Sequence, residues 1–168
     1  MISKAQILDY LRQLGEELAM QNLEGEILLT GGAAMCLVHE ARDMTKDVDA
    51  LYEPKAVINN IAARIAERNG LSENWLNDSV KGFLTPNAPT EDYLAFKGLR
   101  VQTVTAEYLL AMKLMSARYG EKDYEDIRFL LNKLRITTAD QAYAILEKYF
   151  AANDILPKTM YVIDSLLS

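Results

Sequence analysis

The chain reads as an α+β protein, a small mixed β-sheet flanked by helices with a helical carboxy-terminal part. Three observations lead there. Short apolar runs with strand character, Glu26–Thr30 and Val48–Tyr52, fall among the first hundred residues. Apolar residues at helical spacing separate them. Beyond residue 105 the chain carries only the helical period. The expected division is therefore an α/β core over 1–105 and a helical region over 106–168 packed on it.

The elements follow in order. Ile7, Leu8, Leu11, Leu14 and Leu18 recur at helical spacing, which predicts a helix over 3–21 with Ser3 as its cap. Gly25 breaks that pattern, and the next run ends at Gly31-Gly32. Ala33–Glu40 is small, apolar and helix-compatible. A polar loop leads from it to the second strand. Pro54 is expected in the first turn of a helix whose buried face is Val57, Ile58, Ile61, Ala62 and Ile65, with Asn69-Gly70 as the stop. Residues 71–92 read as irregular. Tyr93–Thr105 forms a third extended region, turning at Lys97-Gly98. From Ala106 onward three helical pieces are expected, with breaks at Tyr119-Gly120, Ile136-Thr137 and Pro157.

Composition narrows the function. The 168 residues carry a formal net charge of −6, which argues against broad, non-specific DNA binding, because neutralising phosphate takes a basic surface. A small basic pocket remains compatible with an acidic body. No uninterrupted apolar run is long enough to span a membrane. The amino terminus lacks the layout of a signal peptide, and Cys36 is the sole cysteine, so a reducing cytoplasm is the expected setting.

The chemistry concentrates in GGAAMCLVHEARDMTKDVDALY, residues 31–52. Glycines that close a strand and open a helix let backbone N–H groups approach a phosphate. Asp47 and Asp49, at i and i+2 on an extended segment, face the same side and can share a divalent metal. Mg²⁺ suits such a pair, because it takes a few carboxylates and completes its shell with substrate phosphate oxygens. Arg42 and Lys46 flank the acids and either balance loop charge or neutralise a triphosphate, Arg42 having the fork that matches phosphate oxygens. Lys113 leaves an otherwise apolar helical run. It either pairs with an acid of the next helix, Asp123 or Asp126, or serves as a phosphate-binding cation. His39 reads as a partly buried helix residue, Cys36 as a small core hydrophobe, and Trp75 as a loop anchor. Zinc spacings, Walker loops, serine elbows and dinucleotide fingerprints are absent.

Gly31-Gly32 followed by Asp47-Val48-Asp49 resembles the signature of the nucleotidyltransferase fold, the superfamily of DNA polymerase beta and the minimal nucleotidyltransferases. The fuller string is similar to a bacterial subgroup that includes nucleotidyltransferase-like toxins of toxin–antitoxin systems. There an Arg and a Thr precede the acids, as Arg42 and Thr45 do here. The stretch TAEYLLAMKLMSARYGEKDYEDIRFLL resembles the same subgroup, whose helix bears a Lys before an Asp-rich turn. The resemblance implies Mg²⁺-dependent, two-metal transfer of a nucleoside monophosphate from NTP to an acceptor on RNA or protein, with an antitoxin or other partner protein. Asp47 and Asp49 would hold metal, and Gly31, Gly32, Arg42, Thr45, Lys46 and Lys113 would hold the nucleotide. Such enzymes use a third carboxylate on a later strand, yet LAFKGLRVQTVT contains none, and Glu53, Glu91 and Asp92 are not expected at strand positions. The alternative is a non-catalytic nucleotide-binding or protein-interaction module of the same fold.

Overall fold

The computed structural model describes residues 1–117 and 123–168, and the expected break at Tyr119-Gly120 lies outside them. The chain divides into two compact units, Met1–Leu84 with Thr90–Val104, and Thr85–Pro89 with Thr105–Ser168.

The first unit runs β1 (Ile2–Ser3), α1 (Lys4–Met20), β2 (Gly25–Leu29), α2 (Gly31–Leu37), β3 (Met44–Thr45), β4 (Val48–Glu53), α3 (Lys55–Asn69), β5 (Leu76–Asn77), β6 (Thr90–Phe96) and β7 (Leu99–Val104). Ser3 and Gln6 form the capping box that starts α1. Gly70 at φ 64° ends α3 in the left-handed cap. Five strands form a mixed sheet in the order β5-β4-β2-β7-β6. β2 is antiparallel to β4 and parallel to β7, while β4 and β5 are parallel. One face of this sheet is the core. Ile27, Leu29, Val48, Ala50 and Val101 are fully buried beside Ile7, Leu11, Leu14 and Leu18 of α1 and Ile58, Ile61 and Ile65 of α3. Each Val, Leu or Ile side chain among them contributes on the order of 1.5–3 kcal/mol by leaving water, so this face sets the register. The other face carries Glu26, Leu28, Asp49, Leu51, Glu53, Arg100 and Gln102, all half-buried or exposed.

Three expectations change here. Pro54 is not in the first turn of α3 but is its N-cap, in extended backbone at ψ 124°. The region after Pro89 is a hairpin of two strands. It begins at Thr90, so Glu91 and Asp92 do occupy strand positions. And the stretch expected to be irregular holds β5, seated against the acid-bearing strand by Val48 N–H donating to the Trp75 carbonyl at 2.6 Å. Trp75 is fully buried, its indole N–H donates to the Ala62 carbonyl at 3.0 Å, and its ring meets Tyr10 edge-on at 5.5 Å. It anchors the loop and offers no face to a base.

Among its described residues the second unit holds four α-helices rather than three pieces: α4 (Ala106–Ser116), α5 (Asp123–Lys133), α6 (Ala139–Tyr149) and α7 (Pro157–Leu167). Tyr108, Leu109, Leu110 and Leu114 of α4 are buried with Ile127 and Leu130 of α5, Leu146 of α6, and Val162 and Ile163 of α7. Thr105 caps α4, accepting from the Tyr108 N–H, and Thr159 donates its hydroxyl to the Leu114 carbonyl at 3.0 Å. Residues 85–89 belong to this unit because the Thr85 N–H bonds the Tyr108 hydroxyl at 2.9 Å and the Thr105 N–H bonds the Pro89 carbonyl at 3.1 Å. Among the described residues, no helix is long and apolar enough to cross a membrane.

Candidate functional site

Strand β2 delivers the chain to the turn where the two glycines stand. Thr30 is buried and is the N-cap residue of α2, but its side chain makes no cap bond. Its amide and hydroxyl both donate to the Asp49 carbonyl, at 3.1 and 3.2 Å. These bonds lock the end of β2 to the start of β4. Gly31 follows with φ 56°, the left-handed region that favours glycine. A Cβ placed there would lie 3.1 Å from Asp49 Oδ2. The carboxylate therefore rests against bare Gly31 backbone. At Gly32 an added Cβ would come within 2.6 Å of Thr45 Oγ1 and 3.5 Å of Arg42 Nη1. Helix α2 is only seven residues long, so what this turn offers an anion is backbone N–H rather than a strong helix dipole.

The loop that carries Arg42, Thr45 and Lys46 is tied down by the amino terminus. Ile2 pairs with Thr45 and Ser3 with Met44 across the β1–β3 ribbon. The Lys4 N–H donates to the Asp43 carbonyl, and the Lys4 ammonium pairs with Glu40. Thr45, itself buried, donates its hydroxyl to the Asp47 carbonyl at 3.2 Å. Asp47 immediately precedes β4 and is half-buried, as is Asp49. Lys46 is exposed at the turn. Arg42 lies near enough to Cys36 to oppose the upward push that burial gives that thiol. Six of the residues singled out from the sequence, Gly31, Gly32, Arg42, Thr45, Asp47 and Asp49, are thus linked by contacts or hydrogen bonds around one turn. Lys113 belongs to the helical unit. It is buried, with its ammonium 2.8 Å from Asp126 Oδ2 and 3.4 Å from Asp123 Oδ1. His39 follows α2 and is half-buried.

The three acids near in sequence do not complete the pair. Asp92 shares the open face with Asp49, but β6 stands three strands from β4, about 14 Å away at ordinary strand spacing. Its carboxylate is also held by Arg100, at 2.6 and 3.1 Å. Glu91 pairs with Thr103 and so projects to the opposite face. Glu53 lies four residues along β4 from Asp49, about 13 Å at the rise of a strand. Among the described residues, no group of three His, Cys, Asp or Glu side chains is placed to hold a metal ion. A cavity of about 930 Å³ opens at the far end of the sheet, lined in part by Glu24, Glu26, Glu53, Asp92 and Arg100. It contains neither the glycines nor the Asp pair, and its excess of acids repels phosphate.

Sequence reasoning passed over two residues here. Thr30 reads as an ordinary strand end, and only its bonds to Asp49 reveal its part. Asn77, in register with Asp49 on the parallel neighbour β5, sits on a two-residue strand too short to show a period.

A family model described as "Nucleotidyltransferase of unknown function (DUF6036)" matches residues 6–154, most of the chain. The chain belongs to that family. The mixed sheet, the flanking helices and the helical carboxy-terminal part are consistent with a nucleotidyltransferase fold. No curated protein matches the chain significantly, and no solved structure does. The family match covers the whole first unit except its first five residues and extends through α6 of the second.

Proposed function

We propose that this nucleotidyltransferase-family chain transfers a nucleoside monophosphate from a Mg²⁺-bound NTP to an acceptor hydroxyl on RNA or protein, in the cytoplasm and as part of a toxin–antitoxin system. The observation that carries the site is the Asp49 carboxylate resting against Gly31 backbone, with Thr45 and Arg42 at Gly32. The donor set is hard oxygen, which suits Mg²⁺. Asp47 and Asp49 would hold the ion, which neutralises phosphate charge and orients the triphosphate when bound. The N–H groups of Gly31 and Gly32 receive phosphate oxygens, and Arg42 and Lys46 add positive charge beside them. Thr30 and Thr45 fix the backbone of Asp49 and Asp47, so neither acid must be ordered when nucleotide arrives. In the transfer, the acceptor oxygen bonds the α-phosphorus as the α–β bridging P–O bond breaks. Pyrophosphate leaves, and the hydroxyl proton passes to water.

A second reading, nucleotide binding without turnover, is favoured by one observation. Asp92, Glu91 and Glu53 are all too far from Asp49, or on the wrong face, to assist an attacking hydroxyl. The test is titration of each Mg-NTP into wild type and the Asp47→Ala/Asp49→Ala double variant, with α-labelled NTP offered to RNA and protein acceptors. Metal-dependent binding that the double variant loses, together with label transfer, supports the enzyme. Such binding without transfer to any acceptor leaves the binding module, and no binding by wild type refutes both.

A further inference from the structure

The far end of the open sheet face carries a groove that the glycine turn and the Asp pair do not use. Pairing across β4, β2, β7 and β6 sets Glu53, Glu26, Arg100 and Ala95 side by side in one row. All four are exposed, and all four line the cavity of about 930 Å³. The rest of its wall is largely apolar, with Leu23, Pro54 and Phe96 half-buried. Every lining residue belongs to the first unit. At a strand spacing of about 4.8 Å the row is about 14 Å long, the span of about four extended residues.

Charge and backbone together name an occupant. The lining sets Glu24, Glu26, Glu53 and Asp92 against Arg100 alone. Arg100 already stands 2.6 Å from Asp92 and 3.4 Å from Glu26. The acids are spread over the strands rather than gathered, and among the described residues no group of three is placed to hold a metal ion. Such a row suits a long cation better than a point charge. The cavity also touches five successive residues of β6, Asp92 to Phe96. Side chains alternate between faces, so a cavity meeting all five follows the strand's backbone. β6 ends the sheet and pairs with β7 alone, which leaves half of its backbone N–H and C=O groups facing outward. Glu91 and Asp92 on the same strand disfavour its pairing with a second copy of itself, because like charges would meet.

We propose that this groove docks an extended, Lys- or Arg-bearing segment of a partner protein. Basic side chains of the segment reach Glu26 and Glu53, apolar ones rest against Leu23, Pro54 and Phe96, and its amides meet the free edge of β6. The experiment follows the fluorescence anisotropy of a short fluorescein-labelled peptide of alternating Lys and Val, titrated with the full chain. Wild type should bind it, and a peptide with Glu in place of Lys should not bind. Glu26→Lys/Glu53→Lys should weaken binding about tenfold or more. Glu67→Lys/Glu73→Lys, the same change of net charge at exposed positions outside the groove, should stay within about twofold. Glu26→Gln/Glu53→Gln should also weaken binding, and it keeps the test decisive if the lysine variant fails to fold. No binding of the Lys-Val peptide to wild type would overturn the proposal. So would full affinity in the folded Gln variant, or equal loss in the Glu67/Glu73 control, which would mean attraction to net charge alone. Displacement of the peptide by spermine at matched charge would overturn the protein partner in favour of a small polycation.

Discussion

Gly32→Ala tests the packing behind the Asp pair most directly. A methyl there would stand 2.6 Å from Thr45 Oγ1, about 0.8 Å inside the 3.4 Å at which ordinary contact begins. Thr45 cannot simply swing away, because it is buried and paired with Ile2 in the β1–β3 ribbon. Overpacking of this kind costs about 1–3 kcal/mol. Losing the Thr45 bond to the Asp47 carbonyl costs about 1 kcal/mol more, while replacing a helical glycine returns a part of about 1 kcal/mol. The expected net is a fall of about 1–3 kcal/mol in unfolding free energy by urea titration, with Mg-NTP affinity weakened about tenfold or more. Gly82→Ala, where an added Cβ meets nothing within 4 Å, should change neither. Adding Thr45→Ala to Gly32→Ala removes the clashing hydroxyl. The double variant should regain stability without regaining affinity, a non-additivity expected of residues in contact. Wild-type stability and affinity in Gly32→Ala would refute the geometry, and additive losses would refute the Thr45 contact.

Other consequences are more local. Trp75→Ala should destabilise by about 3–5 kcal/mol by urea titration, because it opens a cavity, empties the indole bond to Ala62 and unseats β5. Lys113→Met removes the ammonium that stands 2.8 Å from the buried Asp126 carboxylate and should cost about 1.5–3 kcal/mol by urea titration, the loss of a charged hydrogen bond. The double change Lys113→Met/Asp126→Leu should recover most of that loss in the same titration. In the helical unit, the Lys148 ammonium and the Tyr149 hydroxyl, both bonded to Glu107, hold its carboxyl below the ordinary 4.5. A depressed folded pKa contributes stability that is present above 4.5 and lost as pH falls through the folded value. Glu107→Gln should therefore flatten the acid limb of the thermal-stability profile below pH 4.5 and leave its neutral slope unchanged.

The parts of the fold that were legible are those whose physics is local. Ile7, Leu11, Leu14 and Leu18 repeat over about three turns, so one stripe announces α1, and Ser3 and Gly70 mark helix ends by side-chain and backbone chemistry of their own. The glycine turn and the Asp pair were legible because their spacing is short: β2, α2 and β4, with only the two-residue β3 between the last two, are each long enough to show their period. Pro54 misled because a proline suits the N-cap as readily as the first turn, and only ψ separates the two. The hairpin start was missed because its exposed edge strand β6, Thr90–Phe96, has little apolar alternation.

The residue beside Asp49 on the neighbouring strand was hidden for a different reason. A search for a third acid along the sequence goes to the longest remaining strands, β6 and β7, because length makes strands visible. Sheet order is not a sequence-local property. β7 inserts beside β2, and the place beside Asp49 falls to Leu76-Asn77, two residues with no period to read. What seats them, beside the short ladder itself, is the backbone bond from Val48 to Trp75 and one buried indole. Neither is a pattern in the letters, since any residue has a carbonyl and tryptophan anchors many loops. Following strand length along the sequence therefore does not lead to the residue beside Asp49. That residue is Asn77, an amide held in its own turn by bonds to Ser79 and Asn74.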